Sequence, residues 1–346
     1  TGEGHISSIV FRTGVIGADS TISLSEPTPY VTEPEHIPNT SYDRQMFERK
    51  LYELDQENET SLQVLGMLGN DFTLNELEDA ITTVLRRPRR GNNAISTAHT
   101  IRTLALSNYE VRFSPIQRPS ERVIFPSSPS QSNGIEDARF VHFHNDDDTW
   151  TYYATFTAFD GKLILPQILE TRDFLNFRFI TLNGPAVKNK GMALFPRKIG
   201  GYYAMLSRQD NENIFLMYSD NIHFWYSPKM IIKPTYTWEF VQLGNCGSPL
   251  ETDEGWLVLS HGVGAFRKYC IGAFLLDKND PTKVIGRLSR PLLKPNDNER
   301  EGYVPNVVYT CGALIHNGTL IMPYAMSDYA SRFATVKLAD IFDAME

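Results

Sequence analysis

From residue 109 onward the chain states one form four times. DDDTWTYYATFTA, RKIGGYYAMLSR, TDEGWLVLSHG and IHNGTLIMPYAM each open on a polar turn. Each then passes through an aromatic or large apolar residue into an alternating strand that ends on a polar residue. Aligning Tyr153, Tyr203, Leu257 and Leu320 gives separations of 50, 54 and 63 residues. A second element repeats too, in ETRDFLNF and YSDNIHFW, with Asp173 and Asp220 47 residues apart. Short alternating runs broken by Gly, Asn, Asp and Pro are what half-buried strands and tight turns require. A β-unit of roughly 50 residues is the size of one propeller blade, about four short strands. The fold class this predicts is all-β, a five-bladed β-propeller forming a single domain over 1–346. Four units fit after residue 109, and SSIVFRTG with TISLSE supplies part of a fifth. The competing architecture is a β-sandwich whose strands resemble one another by chance.

Residues 36–108 break the pattern and predict an α-helical insertion. Met46, Leu51 and Leu54 stand at helical spacing in a charged background. Thr73 followed by Glu76 reads as a capping box, and Pro88 ends that helix because its ring clashes with the preceding turn. STAHTIRTLALSNY predicts a further helix with Asn108 at its C-terminus. The insertion is left three roles: a cover for the channel mouth, a homo-oligomer contact, or an edge decoration.

Net charge −8 and a pI near 5.6 argue against a nucleic-acid partner, which needs a basic face. No apolar run reaches membrane-spanning length, so no membrane partner is expected. Cys246, Cys270 and Cys311 are odd in number and widely spaced, which fits neither a disulfide framework nor a metal site. They favour a reducing, cytoplasmic compartment. No secretory leader opens the sequence. Thr1 is not an initiator Met and the blade material is incomplete there, so the native chain is expected to begin earlier.

In a propeller, polar residues at the ends of the inner strands converge on one opening. Asp137, Arg208, His261 and Asp328 stand at comparable positions in the units and are expected to share a pocket. Glu136, Asp137 and Arg139 lie together in NGIEDARF. Cleaving a sugar bond with inversion takes two separated acids, one protonated and one ionised, with room for water between them. Asp137 is the acid candidate, with Glu136 and Arg139 as its charged neighbours. Glu170 and Glu251, each in an apolar-Glu-Thr frame, are the base candidates; strand-end solvent contacts are the alternative for both. Asn189 and Lys190 suit a sugar hydroxyl, a phosphate or a surface turn. Arg208 and Asp210 read as a bidentate pair able to clamp a vicinal diol, or as a surface ion pair. His261 precedes Gly262 at a strand end, where a structural donor is the plainer role. No phosphate-loop motif and no metal-ligand spacing occur.

Taken in order, GIEDARF (134–140), TRDFLNF (171–177), NKGMALFPRKIGGYYAMLSRQDNENI (189–214), SDNIHFW (219–225), GSPLETDEGWLVLSHGV (247–263), LLDKNDPTKVIGR (275–287), YVPNVVYTCG (303–312) and PYAMSD (323–328) resemble glycoside hydrolase family 130, the β-mannoside phosphorylases and hydrolases. The resemblance covers about 109–346, and the N-terminal segment resembles a longer branch of the family with a helical insertion. It implies a five-bladed propeller with Asp137 as general acid, its proton relayed through a sugar hydroxyl in the phosphorylases. It also implies that Arg139, Asn189, Lys190, Arg208, Asp210, His261 and Asp328 line the mannose and acceptor or phosphate sites. The family's usual EDPR reads EDAR here, which frees the backbone at Ala138 and removes no functional group. KLILPQILETRDF lacks the basic residue that phosphorylases carry before this element. The expected function is therefore an inverting hydrolase of β-1,2- or β-1,4-mannosides, with Glu251 or Glu170 activating water. The alternative is a phosphorylase releasing mannose 1-phosphate, and the third reading is a non-catalytic glycan-binding propeller. No cofactor is expected; inorganic phosphate enters only as co-substrate of a phosphorylase. The partner is an oligosaccharide.

Overall fold

The computed structural model describes residues 6–87, 93–161 and 164–346. It is mostly β, 40% strand against 18% helix. Four antiparallel sheets follow one another along the chain. The first has six strands in the order Glu35–Pro38, Tyr109–Arg112, Asn176–Thr181, Ile164–Thr171, Trp150–Phe159, Ile135–His144. The second runs Ala193–Leu194, Tyr203–Ser207, Ile214–Ser219, Pro228–Ile232. The third runs Gln242–Asn245, Trp256–Val263, Tyr269–Leu276, Val284–Arg287, with Leu250–Glu251 also pairing on Trp256–Val263. In the fourth, Thr319–Met326 pairs with Val308–Tyr309, Leu314–His316 and Ala330–Lys337. The four strands aligned by the repeat are all interior strands, paired on both sides. That burial on both edges and faces is why they carry the densest apolar and aromatic runs. Near the N-terminus, Ile9–Val10 pairs with Val123–Ile124, and Gly14–Ile16 with Ile22–Leu24.

The helical segment leaves and returns at one place. Glu35–Pro38 and Tyr109–Arg112 pair antiparallel, Pro38 opposite Tyr109, so everything between them loops out from a sheet edge. Among the described residues four helices lie in that loop: Arg44–Glu53, Glu59–Leu65, Leu74–Leu85 and Ala94–Leu106. Thr73 and Glu76 form the expected capping box, each side chain accepting from the other's backbone N–H. Asn108 donates to the Leu104 carbonyl at 3.1 Å and closes the last helix. The short helix Glu59–Leu65 escaped the periodicity reading because at seven residues it spans two turns; its signal was Asn58, which caps it. Pro88 lies outside the described residues. Phe47, Leu51, Leu77, Ile81 and Ile101 build a core confined to this segment.

A buried ion pair docks that module onto the sheets. Lys50, only 3% exposed, pairs with Glu53 at 3.1 Å and donates to the Leu182 carbonyl at 2.8 Å. Glu53 accepts from the Gly184 N–H at 2.7 Å. Removing one partner of such a pair strands the other charge and a carbonyl away from water. Lys50→Ala is therefore expected to cost about 3 kcal/mol, read as a lowered midpoint in denaturant unfolding, whereas Arg44→Ala, at a half-exposed pair with Glu48, is expected to change it by under about 1 kcal/mol.

Candidate functional site

A pocket of about 580 Å³ opens where the ends of all four sheets meet, and it holds Glu136, Asp137, Lys190, Arg208, His261 and Asp328. Arg208, His261 and Asp328 sit at or just past the ends of the repeated strands. Asp137 comes from the preceding strand instead. Antiparallel pairing puts the start of Ile135–His144 beside the end of Trp150–Phe159, Glu136 opposite Thr157, so Asp137 reaches the same end. The register slips between Thr155 and Thr157, a β-bulge, and Asp137 takes φ 54° there. Bulges re-aim a side chain, and Asp is among the few non-glycine residues that enter the left-handed region readily.

The Asp137 carboxylate is held from behind. Its Oδ2 accepts from the Tyr309 hydroxyl at 3.2 Å and from Arg139 Nη2 at 3.3 Å. The same Nη2 donates to the Tyr309 oxygen at 2.8 Å, and Arg139 Nε donates to the Cys246 carbonyl. Arg139 is 2% exposed, so it lies behind the pocket and not on its wall. Burial works against its charge, but Tyr309 and Asp137 outweigh burial and hold the guanidinium protonated. Burial pushes the Tyr309 hydroxyl well above its ordinary range, so it remains a donor.

Glu136 is spent on Lys190, whose ammonium it pairs across two sheets. Arg208 is different: Nη1 lies 3.0 Å from Nε2 of His261, a partner without charge. His261 is 2% exposed, and burial, with Arg208 and Arg139 nearby, drives its pKa well below the ordinary imidazole value. The neutral ring then accepts from Arg208 at Nε2 and carries its proton on Nδ1, 4.0 Å from Cys246 Sγ. Gly244 makes this packing feasible, since a Cβ there would stand 2.5 Å from His261 Cε1. The result is a half-buried cation whose hydrogen-bonded partner is not an anion.

Other expected site residues go elsewhere. Asp210 does not pair with Arg208: its carboxylate caps its own turn, accepting from the Glu212 and Asn213 N–H groups at 3.0 and 2.9 Å and from Asn213 Nδ2 at 2.6 Å. Burial pushes its pKa up, and those bonds more than offset it to leave it lowered. Asn189 lies beside the pocket but turns away, donating to the Gln209 carbonyl at 2.7 Å from a φ of 60°. Glu170 and Glu251 belong to the opposite end of the sheets. Glu170 is paired with Tyr153, four residues before Thr157, hence about 13 Å along the strand from Glu136. It bonds His223 at 2.7 Å and lines a separate depression. Glu251 sits opposite Trp256, five residues before His261, or about 16 Å. Arg197 grips it with two bonds at 2.8 and 2.7 Å, which, with Lys278, hold its pKa down. Carboxyls of inverting hydrolases stand about 6.5–9.5 Å apart, and along their strands both glutamates lie farther than that from the pocket residues Glu136 and His261. Tyr269 and Tyr309, both lining the pocket, went unread. Tyr309 lies within the quoted YVPNVVYTCG, but nothing local marks a tyrosine as a carboxylate's partner.

The sequence profile described as beta-1,4-mannooligosaccharide phosphorylase, of glycoside hydrolase family 130, matches residues 98–346. A 1,2-beta-oligomannan phosphorylase of a Thermoanaerobacter species is 33% identical over 68% of this chain and 78% of its own length. The beta-1,2-mannobiose phosphorylase of Listeria innocua is 32% identical over 64% of this chain and 63% of its own. The structure of that Listeria enzyme in complex with beta-1,2-mannobiose superposes with a TM-score of 0.58, at 30% identity, over 68% of this chain and 69% of that one.

The buried imidazole sets a pH dependence. An unfolded histidine takes up a proton near pH 6.5, while folded His261 resists, so the unfolded state binds more protons below that pH. Its contribution to stability therefore falls as pH drops through about 6.5, by up to about 1.4 kcal/mol per unit. His261→Gln is expected to flatten the Tm-against-pH curve between about pH 5 and 7 relative to wild type; parallel curves would contradict a neutral His261.

Proposed function

Because the chain belongs to glycoside hydrolase family 130, a family of enzymes that act on glycosides, we propose that it is an inverting β-mannoside phosphorylase rather than the hydrolase expected from its sequence. The observation that carries this is the pairing of Arg208 with a neutral His261, in a pocket that neither Glu170 nor Glu251 lines. Hydrolysis needs a base to activate water. Phosphorolysis needs none, since phosphate arrives as an ionised nucleophile, but it does need cationic donors for a dianion. Arg208 supplies such charge, Lys190, although paired with Glu136, keeps N–H donors at the pocket wall, and the relatives described above are phosphorylases.

In the proposed step, a phosphate oxygen attacks the anomeric carbon of a β-linked mannosyl residue from the face opposite the glycosidic oxygen. The C1–O bond breaks, and the leaving oxygen takes the Asp137 proton directly or through a sugar hydroxyl. The products are α-mannose 1-phosphate and an oligosaccharide shorter by one unit. Tyr309 and Arg139 bind Oδ2, so the other carboxyl oxygen is the one that faces substrate. The five-bladed propeller belongs to the same proposal: four successive sheets contribute to one pocket, as radially arranged blades do around a central opening. The helical module is an insertion in that propeller.

Incubation with β-1,2- and β-1,4-mannobiose, with and without inorganic phosphate, tests this. Mannose 1-phosphate is expected only when phosphate is present; free mannose released at the same rate without phosphate would restore the hydrolase reading. Asp137→Asn is expected to lower turnover by ~10²–10⁴-fold, the usual contribution of a general acid. Glu251→Gln and Glu170→Gln are expected to stay within about twofold, since neither glutamate lines the pocket. A large loss in either would return that glutamate to the chemistry.

A further inference from the structure

A second hollow, of about 520 Å³, is lined by residues of the second sheet and by Asn279, in the turn that follows the strand Tyr269–Leu276 of the third. It shares no lining residue with the pocket described above. Tyr202 stands just before the strand Tyr203–Ser207. Tyr203 pairs with Ser219, which brings Tyr218 and Asp220 to the same end. Arg208 follows the other end of that strand, five residues beyond Tyr203, or about 16 Å. Three tyrosines line the hollow, Tyr202, Tyr218 and Tyr226, and two of them, Tyr202 and Tyr226, are each 53% exposed. Tyr202 is carried by a tight turn: Ile199 and Tyr202 exchange backbone bonds at 2.9 and 3.1 Å across Gly200 and Gly201, whose φ values are 58° and 85°. Tyr226 leans on the buried ring of Phe224, centroids 4.7 Å apart, and the Arg49 guanidinium of the helical module lies 4.7 Å from that same ring.

The chemistry of the lining narrows the ligand. Asp220 and Asn279 stand beside the rings, and among the described residues no Lys or Arg lines the hollow. The side chains of Tyr202, Tyr218, Tyr226, Asp220 and Asn279 make no hydrogen bond among the described residues, so their polar atoms are open to a ligand. An aromatic face is electron-rich and attracts C–H groups that carry slight positive charge. A pyranose ring offers such a face, with hydroxyls around its edge for a carboxylate, an amide and phenols to meet. A ligand carrying phosphate or carboxylate finds no cation in this lining and is repelled by Asp220. The volume falls in the ordinary range for a small-ligand site, about 300–1,000 Å³.

We propose that this hollow is a second oligosaccharide-binding site, at the end of the sheets opposite the pocket, where Tyr202 and Tyr226 stack on the rings of a neutral pyranoside chain and Asp220 accepts from its hydroxyls. The site binds and does no chemistry. Taking the chain to be a β-mannoside rests on the proposed function; the choice of a neutral sugar rests on the lining alone.

The test is calorimetric titration of the intact enzyme with β-1,2- and β-1,4-mannotetraose, read as sites per chain, alongside turnover of mannobiose in phosphate. The double variant Tyr202→Ala/Tyr226→Ala is expected to lose one site per chain, or to weaken it at least ~10-fold, the usual effect of truncating an anchoring aromatic. Its mannobiose turnover is expected to stay within about twofold of wild type, because neither tyrosine lines the pocket. Tyr202→Phe/Tyr226→Phe keeps both rings and is expected to hold the site within about threefold, which separates stacking from a folding defect. An unchanged number and strength of sites in the alanine variant overturns the proposal. So does self-association of the wild type, seen by sedimentation without sugar and lost in the alanine variant, which would give the hollow to a second copy of the chain. Loss of the tyrosine-dependent site in a protein whose wild type makes no mannose 1-phosphate would support this site and fault the phosphorylase reading.

Discussion

One buried guanidinium organises the pocket. Arg139 starts on the first sheet, donates to the Cys246 carbonyl just past the first strand of the third, and reaches Tyr309 on the fourth. Its two remaining bonds return to Asp137 on its own strand, one to the backbone carbonyl and one to Oδ2. A charge buried this deeply is tolerable only when nearly every N–H finds an acceptor. The acceptors come from three sheets, so those sheets must be seated relative to one another before the arginine is satisfied. The same contacts fix which carboxylate oxygen of Asp137 faces inward. Folding and site assembly are thus one event at this residue, and the position of the acid follows from the cost of leaving Arg139 unpaired.

The repeat was legible because burial on both faces of the interior strands leaves dense apolar and aromatic runs, bounded by polar turns, that depend on nothing distant. The caps of the helical module were legible for the same reason: Thr73 and Glu76 complete their bonds within one turn. Asp137, Arg208, His261 and Asp328 could be placed together because all four flank repeated strands on the same side. Glu170 and Glu251 were misplaced because an apolar-Glu-Thr frame marks a strand terminus without saying which one. Register decides that: each lies beside the start of a repeated strand, whereas the pocket is built at the finish. Asp210 was misread for a different reason. A short-range bond to its own turn competes with a partner across the pocket, and the local bond wins because it needs no chain closure. Tyr309 is visible only in three dimensions, since its meaning lies in what surrounds it.

The displaced glutamates and the neutral histidine have a common consequence for chemistry. A glycosidase must hold its base ionised near its acid, and two carboxylates in one cleft raise each other's pKa. Here Glu136 is neutralised by Lys190, leaving Asp137 in a field shaped by Arg139, Arg208 and a histidine that carries no charge of its own. Were His261 protonated, it could not accept from Arg208, and that arginine would lose the bond that positions it. Burial prevents this by making the imidazolium costly. Arg208 is thereby kept oriented without an anionic partner at its Nη1, while burial lowers its pKa. For the phosphorylase proposed above, a half-buried cation bonded at Nη1 to a neutral ring is the physical reason to expect an anionic co-substrate rather than neutral water.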